Sequence, residues 1–342
     1  MKDLKLAFRS LVRSPGFTVV AVLTLALGIG ANTAIFTVIQ GVLLQPLPYD
    51  EPEQLVRFWS KWNQFPRGSI SEPEYFDYLE QNQVFEEIAI YHGRNQNLMA
   101  IDGEPQRVVV KNVTGGFFPL LRRPALRGRT LSPSDDGPGA EQVAVASYGF
   151  WQTTLGGRTN AVGSTVDLEG DRYTIVGVMP QDFTYPEKGT DLWRSSRLDR
   201  ANLGNRGGHI YRGIARLAPG VSINQAQADM SAIAARLQEQ YPENYPDGSG
   251  WGVTLVPLFE HTVGAVRPAL VVLSGAVGFV LLLACANVAN LTLVRATARE
   301  KELTLRSVLG ASRARLVAGL LAESAIVATL GLLAGLVDPG LL

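Results

Sequence analysis

The chain has 342 residues, and its 31 basic and 31 acidic side chains leave a formal net charge of zero. That balance gives no electrostatic case for a nucleic-acid partner or an acidic substrate. The single cysteine, Cys285, excludes a disulfide framework within the chain and a thiolate zinc cluster, and charged residues at only 18% lean toward a membrane protein.

No charged residue lies between Arg13 and Asp50, and Gly16 to Ile39 is largely apolar. About 20 such residues cross the hydrocarbon core as a helix. The run is longer than the apolar region of a secretory leader and no A-x-A cleavage site follows it, so residues 16–39 are predicted to be an uncleaved transmembrane helix.

The next long stretch reads as mixed α and β. Leu55 to Ser60 is a predicted strand. Ser71 to Gln81 is a predicted helix, with Ser71 and Glu74 spaced as a capping box. Arg107 to Val113 and Val143 to Ser147 are β-rich, and Thr165 to Val178 has the pattern of a hairpin turning at Glu169-Gly170. Ile210 to Leu217 is another strand candidate. A second capping box, Ser222 and Gln225, opens the clearest soluble helix, in which Ile223, Ala226, Met230, Ile233, Ala234, Leu237 and Tyr241 recur at helical spacing. Pro242 ends it.

Residues 268–294 are free of charge, and residues 316–337 are interrupted only by Glu323. Neither shows the polar face of a soluble helix, so both are predicted to span the membrane. Orientation follows from the basic residues. Lys2, Lys5, Arg9 and Arg13 precede the first span. Arg295, Arg299, Lys301, Arg306, Arg313 and Arg315 lie between the second and third. Both clusters are expected on the cytoplasmic side, which leaves residues 40–267 outside. The predicted class is an α-helical membrane protein carrying a large extracytoplasmic mixed α/β domain.

No catalytic constellation emerges. There is no G-x-x-x-x-G-K-[ST] or G-x-S-x-G motif. Gly28-Ile29-Gly30 lies inside a span, where close helix packing explains it better than nucleotide binding. His92, His209 and His261 are far apart in sequence and lack ligand spacing, so neither a metal nor a cofactor is expected. Polar residues inside the spans are more informative. Asn32 (with Thr33), Asn287 and Asn290 are expected to hydrogen-bond to neighbouring helices, with gating as the alternative. Glu323 is an intramembrane acid, hence a functional candidate; it is also within reach of an ion pair with Arg315 or Arg295.

Four passages together carry a family resemblance. The first is Leu6-Ala7-Phe8-Arg9-Ser10-Leu11 with Ser14-Pro15-Gly16-Phe17-Thr18. The second is Leu25-Ala26-Leu27-Gly28-Ile29-Gly30-Ala31-Asn32-Thr33-Ala34-Ile35-Phe36. The third is Val42-Leu43-Leu44-Gln45-Pro46-Leu47-Pro48-Tyr49. The fourth is Ala286-Asn287-Val288-Ala289-Asn290-Leu291, followed by Arg299-Glu300-Lys301-Glu302-Leu303, Arg306 and Leu309-Gly310-Ala311-Ser312. The chain resembles the MacB/FtsX-type ABC transporter permeases, in particular the acidobacterial-type branch whose long members duplicate this unit.

The resemblance implies a cytoplasmic amphipathic helix within residues 1–15, with Leu4, Phe8, Leu11 and Val12 on its apolar side. It implies a MacB-like periplasmic core over 40–267, made of a porter-like part with an inserted β-rich, sabre-like part at about 115–195. Residues 295–315 become an ATPase-coupling loop, with Arg299, Glu300, Glu302, Arg306 and Gly310 as docking residues, and 268–337 a partial FtsX-like permease domain. The implied partners are an ABC ATPase subunit, a second permease copy, a periplasmic adaptor and membrane lipids. The implied mechanism is mechanotransmission, in which ATP hydrolysis by the partner moves the outside domain to export or extract a hydrophobic or lipid-like substrate. A non-transporting regulatory or scaffold protein is the alternative. A full family unit has four spans, so a chain ending in a short tail, 338–342, after the third is expected to be a truncated form.

Overall fold

The computed structural model describes residues 2–99, 105–299, 304, 308 and 313–336. The chain divides into two compact units, one of residues 1–45 with 263–342 and one of residues 46–262.

The first unit is helical. α1 (Lys2–Val12) precedes α2 (Pro15–Ile39), which closes in a π-helical turn over Gln40–Leu44. It also contains α8 (Arg267–Ala298) and α9 (Arg313–Leu336). Among the described residues, three helical stretches are long and apolar enough to cross a membrane: Pro15–Leu43, Arg267–Ala298 and Val317–Leu336. Leu11, Ala21, Leu25 and Val327 form a small buried core between them. The α1 face differs in detail from the expectation. Ala7 and Leu11 are buried against the spans, whereas Phe8 and Val12 are exposed.

Two helices can approach closely only where side chains are small, and glycine supplies that here. A Cβ at Gly331 would sit 2.7 Å from the Leu25 Cβ, and one at Gly335 2.8 Å from the Ala26 carbonyl oxygen. Both clashes lie between α2 and α9.

The second unit is built on one ten-stranded sheet. Its strands are β1 (Leu55–Lys61), β2 (Phe85–Met99), β3 (Pro105–Val113), β4 (Arg127–Gly128), β5 (Val143–Ala146), β6 (Thr165–Leu168), β7 (Asp171–Val178), β8 (Leu192–Ser195), β9 (Arg212–Leu217) and β10 (Gly252–Pro257). The order is β10-β1-β9-β2-β3-β8-β5-β7-β4, with β6 paired to β2 and β7. Among the described residues only β3 with β8 and β5 with β7 run parallel. Side chains alternate across the sheet. One face places Val56 and Phe58, Ile88 and Ile90, Ala215 and Leu217, and Val253 and Leu255 against α3 (Glu72–Gln81) and α6 (Ile223–Gln240). The predicted α6 stripe is the buried one, with Ala226, Met230, Ile233, Ala234 and Leu237 in the core. Burying each larger side chain contributes about 1.5–3 kcal/mol. The other face packs Leu55, Ala89, Tyr91, Val113, Trp193 and Ile214 against α4 (Phe117–Leu121). A third core, between α5 (Tyr148–Thr153) and the β5–β8 end of the sheet, gathers Phe150, Trp151, Ile175 and Leu192.

Both capping boxes form, at Ser71–Glu74 and Ser222–Gln225. The hairpin turns at Glu169-Gly170, both at positive φ. The short helix α7 (Leu258–Val263) ends the sheet unit.

Candidate functional site

Five polar residues of the helical unit, Ser10, Ser14, Arg295, Arg299 and Glu323, gather at one place. Arg295 and Arg299 are one turn apart near the end of α8, so they share a face. Across from them, on α9, Glu323 accepts from Arg299 Nη1 at 3.2 Å and lies 3.5 Å from Arg295 Nη1. Arg295 Nη2 also donates to the Ser10 carbonyl at 2.8 Å and to the Ser14 hydroxyl at 2.8 Å, and Arg299 Nη1 donates to the Ser10 hydroxyl at 2.7 Å. The Arg295 guanidinium stands 4.5 Å over the Phe17 ring. Ser10 belongs to α1, Ser14 caps α2, and the arginines and the acid come from α8 and α9. One cluster thus ties α1, α2, α8 and α9 together.

The sequence places this here for a local reason. Ser14 is followed by Pro15, so α1 ends and α2 starts within two residues, and the serine oxygens face the arginines. Thr18 closes the corner by donating to the Leu11 carbonyl at 2.9 Å. Chemically the cluster holds two guanidinium groups and one carboxylate, largely out of water; the Arg295 and Glu323 side chains are 12% and 16% exposed. Separating such a pair leaves charges poorly solvated, so the helices are coupled at this end.

Of the expected residues, Glu323 pairs with Arg295 and, additionally, with Arg299. Arg315's side chain lies outside the described ones. Asn32 donates to the Gly28 carbonyl on its own helix at 3.0 Å and to the Val277 carbonyl of α8 at 3.2 Å. Asn287 and Asn290 depart from expectation. Both are exposed and make no hydrogen bond among the described residues. Leu281 and Ala284 meet Gly28 of α2, Val288 joins the buried core, and the two asparagines fall on the flank turned away. Glu300, Glu302, Arg306 and Gly310 lie outside the described residues, so of the expected docking set Arg299 alone is described. Ser10 and Ser14 were not singled out from the sequence. Their signal was the i, i+4 spacing that puts both hydroxyls on one side of the α1–α2 corner.

Among the described residues no three His, Cys, Asp or Glu side chains gather in a way that could hold a metal.

The MacB-like periplasmic core domain family matches residues 18–233, and the FtsX-like permease C-terminal family matches residues 274–337. No curated protein matches the sequence. Among solved structures, the periplasmic region of MacB from Actinobacillus actinomycetemcomitans is similar over 68% of this chain and 98% of its own, at 12% identity and a TM-score of 0.47. The extracellular domain of the noncanonic ABC-type transporter YknZ from Gram-positive bacteria is similar over 58% of this chain and 99% of its own, at 13% identity and a TM-score of 0.43.

Proposed function

The chain belongs to the MacB/FtsX-type ABC transporter permeases, and from that premise we propose that it couples ATP hydrolysis by a partner ATPase to movement of its sheet domain. It is a permease subunit, of a class that works with ABC ATPases. The basic segments face the cytoplasm, residues 40–267 face outward, and the 295–315 loop receives the ATPase through Arg299, Glu300, Glu302, Arg306 and Gly310.

The observation that carries the reading is the cluster of Arg295, Arg299 and Glu323 with Ser10 and Ser14. Arg299 lies in that 295–315 segment and is the first residue past α8. Any displacement of the loop is felt at Arg299, and its partners lie on α1 and α9. A push on the loop therefore moves helices together rather than bending one of them. The apolar spans contain too few polar groups to line a hydrophilic path, which favours a hydrophobic or lipid-like substrate handled outside and exported or extracted there. A second permease copy, with Asn287 and Asn290 offering hydrogen bonds to its helices, and a periplasmic adaptor complete the proposed assembly, in contact with membrane lipids.

Tagged full-length chain, purified from its native membranes, is expected to bring an ABC ATPase with it. The charge reversals Glu300→Lys and Glu302→Lys are expected to abolish that association. Retention of the ATPase by the doubly reversed chain would remove the docking assignment.

A further inference from the structure

Three cationic side chains stand on one face of the sheet, on three strands: Arg57 on β1, Arg212 on β9 and Lys111 on β3. Register puts them there. Arg57 lies opposite Ile214 and Arg212 opposite Tyr91, while Gly93, two residues on from Tyr91, lies opposite Lys111. A polar cavity of about 210 Å³ opens on this face, lined in part by Tyr91, Gly93, Lys111, Glu187 and Arg212. Its volume is well above the ~10–15 Å³ that admits a single water.

The charges around it do not balance. Lys111, 8% exposed, pairs with Glu187. Arg212 is exposed and has no ion-pair partner among the described residues. Arg57 is 2% exposed and also lacks a carboxylate. It donates to the Gly213 carbonyl at 2.9 Å, to the Tyr91 hydroxyl at 2.9 Å and to His261 Nε2 at 3.2 Å, while its Nη2 is left without an acceptor. Arg216, the other buried arginine, is by contrast held by the carbonyls of Leu120, Asp50 and Glu51. Because Arg57 can only donate, the Tyr91 oxygen accepts from it. Space is reserved as well. A Cβ at Gly93 would collide with the Lys111 side chain and lie 2.9 Å from the Val110 carbonyl oxygen, so only glycine lets the lysine cross the cavity floor.

We propose that this cavity binds a phosphate group, held between Arg212 and Lys111, with Glu187 as the resident acid that the phosphate displaces. Two positive charges next to the cavity and a third behind Tyr91 face one carboxylate, and charge-assisted hydrogen bonds to guanidinium and ammonium are the strong kind. The proposal rests on the sheet unit alone and stands or falls separately from the ATPase assignment.

The test uses the full chain in phosphatidylcholine nanodiscs. Inorganic phosphate and short-chain phosphatidic acid, below its micelle concentration, are each titrated by calorimetry. Arg212→Gln is expected to weaken binding about tenfold and Glu187→Gln to tighten it about threefold; a merely structural Glu187 would give no tightening. Binding of inorganic phosphate assigns a soluble phosphate. Binding of phosphatidic acid alone, weakened by Arg212→Gln, assigns a lipid headgroup. If neither ligand binds the wild type or the Glu187→Gln chain, or if both variants bind as the wild type does, the proposal is overturned.

Discussion

Glu74 gathers four hydrogen bonds in the sheet unit. It is fully buried, and its two oxygens accept from the Ser71 amide at 2.8 Å, the Ser60 hydroxyl at 3.0 Å, the Tyr245 hydroxyl at 3.0 Å and His209 Nε2 at 3.2 Å. Glu74→Ala strands those donors and is expected to cost about 3 kcal/mol, read as a lower denaturant midpoint by tryptophan fluorescence. Two histidines give the pH dependence opposite signs. Burial opposes charge on His209, but its hydrogen bond to Glu74 and that carboxylate's charge outweigh it, so the pKa is raised above 6.5. Its stabilisation is complete below about 6.5 and fades as pH rises through the raised value. His261 is pushed down to about 4 by burial and by Arg57, Arg67 and Arg212. Its contribution is present above the ordinary histidine value and is lost as pH falls toward 4. Melting temperature against pH is therefore expected to fall on both sides, with His209→Gln flattening the alkaline limb and His261→Gln the acid one.

At the scale of elements, legibility followed the strength of local periodicity. The α6 stripe and both capping boxes could be read because side-chain spacing and cap chemistry are local. β2 could not. Its sequence, FEEIAIYHGRNQNLM, alternates only through Tyr91 and then turns polar, yet the strand runs on to Met99 because β3 pairs with it along its outer half. β8 has four residues and is held by β3 and β5, partners far from it in sequence. The same limit applied to the coupling cluster. Glu323 and Arg295 stood out as charges near apolar runs, but Ser10 and Ser14 acquire meaning only once the α1–α2 corner brings them beneath Arg295. Two element-scale outcomes follow. Gly331→Leu is expected to force α2 and α9 apart at Leu25 and lower the melting temperature in detergent; Gly275→Leu, whose Cβ meets nothing within 4 Å, is the control that should not. Glu323→Ala leaves Arg295 and Arg299 without their carboxylate. Allowing for their partial exposure, the cost is about 2 kcal/mol, and Glu323→Gln should recover part of it by keeping a hydrogen-bond acceptor. A thermal melt of the three chains separates these outcomes.

For the whole molecule the decisive proposal is which side of the membrane each segment occupies. Ten of the 31 basic residues sit in two short segments, before the first span and between the second and third. Holding both on the cytoplasmic side is favourable because positive flanks resist translocation. An odd number of crossings then separates Arg13 from Lys188. Both side chains are exposed, so each can become a reporter cysteine with little structural cost. The native Cys285 is exposed on an apolar span and must first be replaced by alanine. In intact spheroplasts a membrane-impermeant maleimide is expected to label Lys188→Cys at once and Arg13→Cys only after lysis. Labelling of both before lysis, or the reverse order, would place the sheet domain on the wrong side. The ATPase docking assignment requires the 295–315 loop to share a compartment with Arg13, so it would then have to be abandoned as well, whatever the co-purification showed.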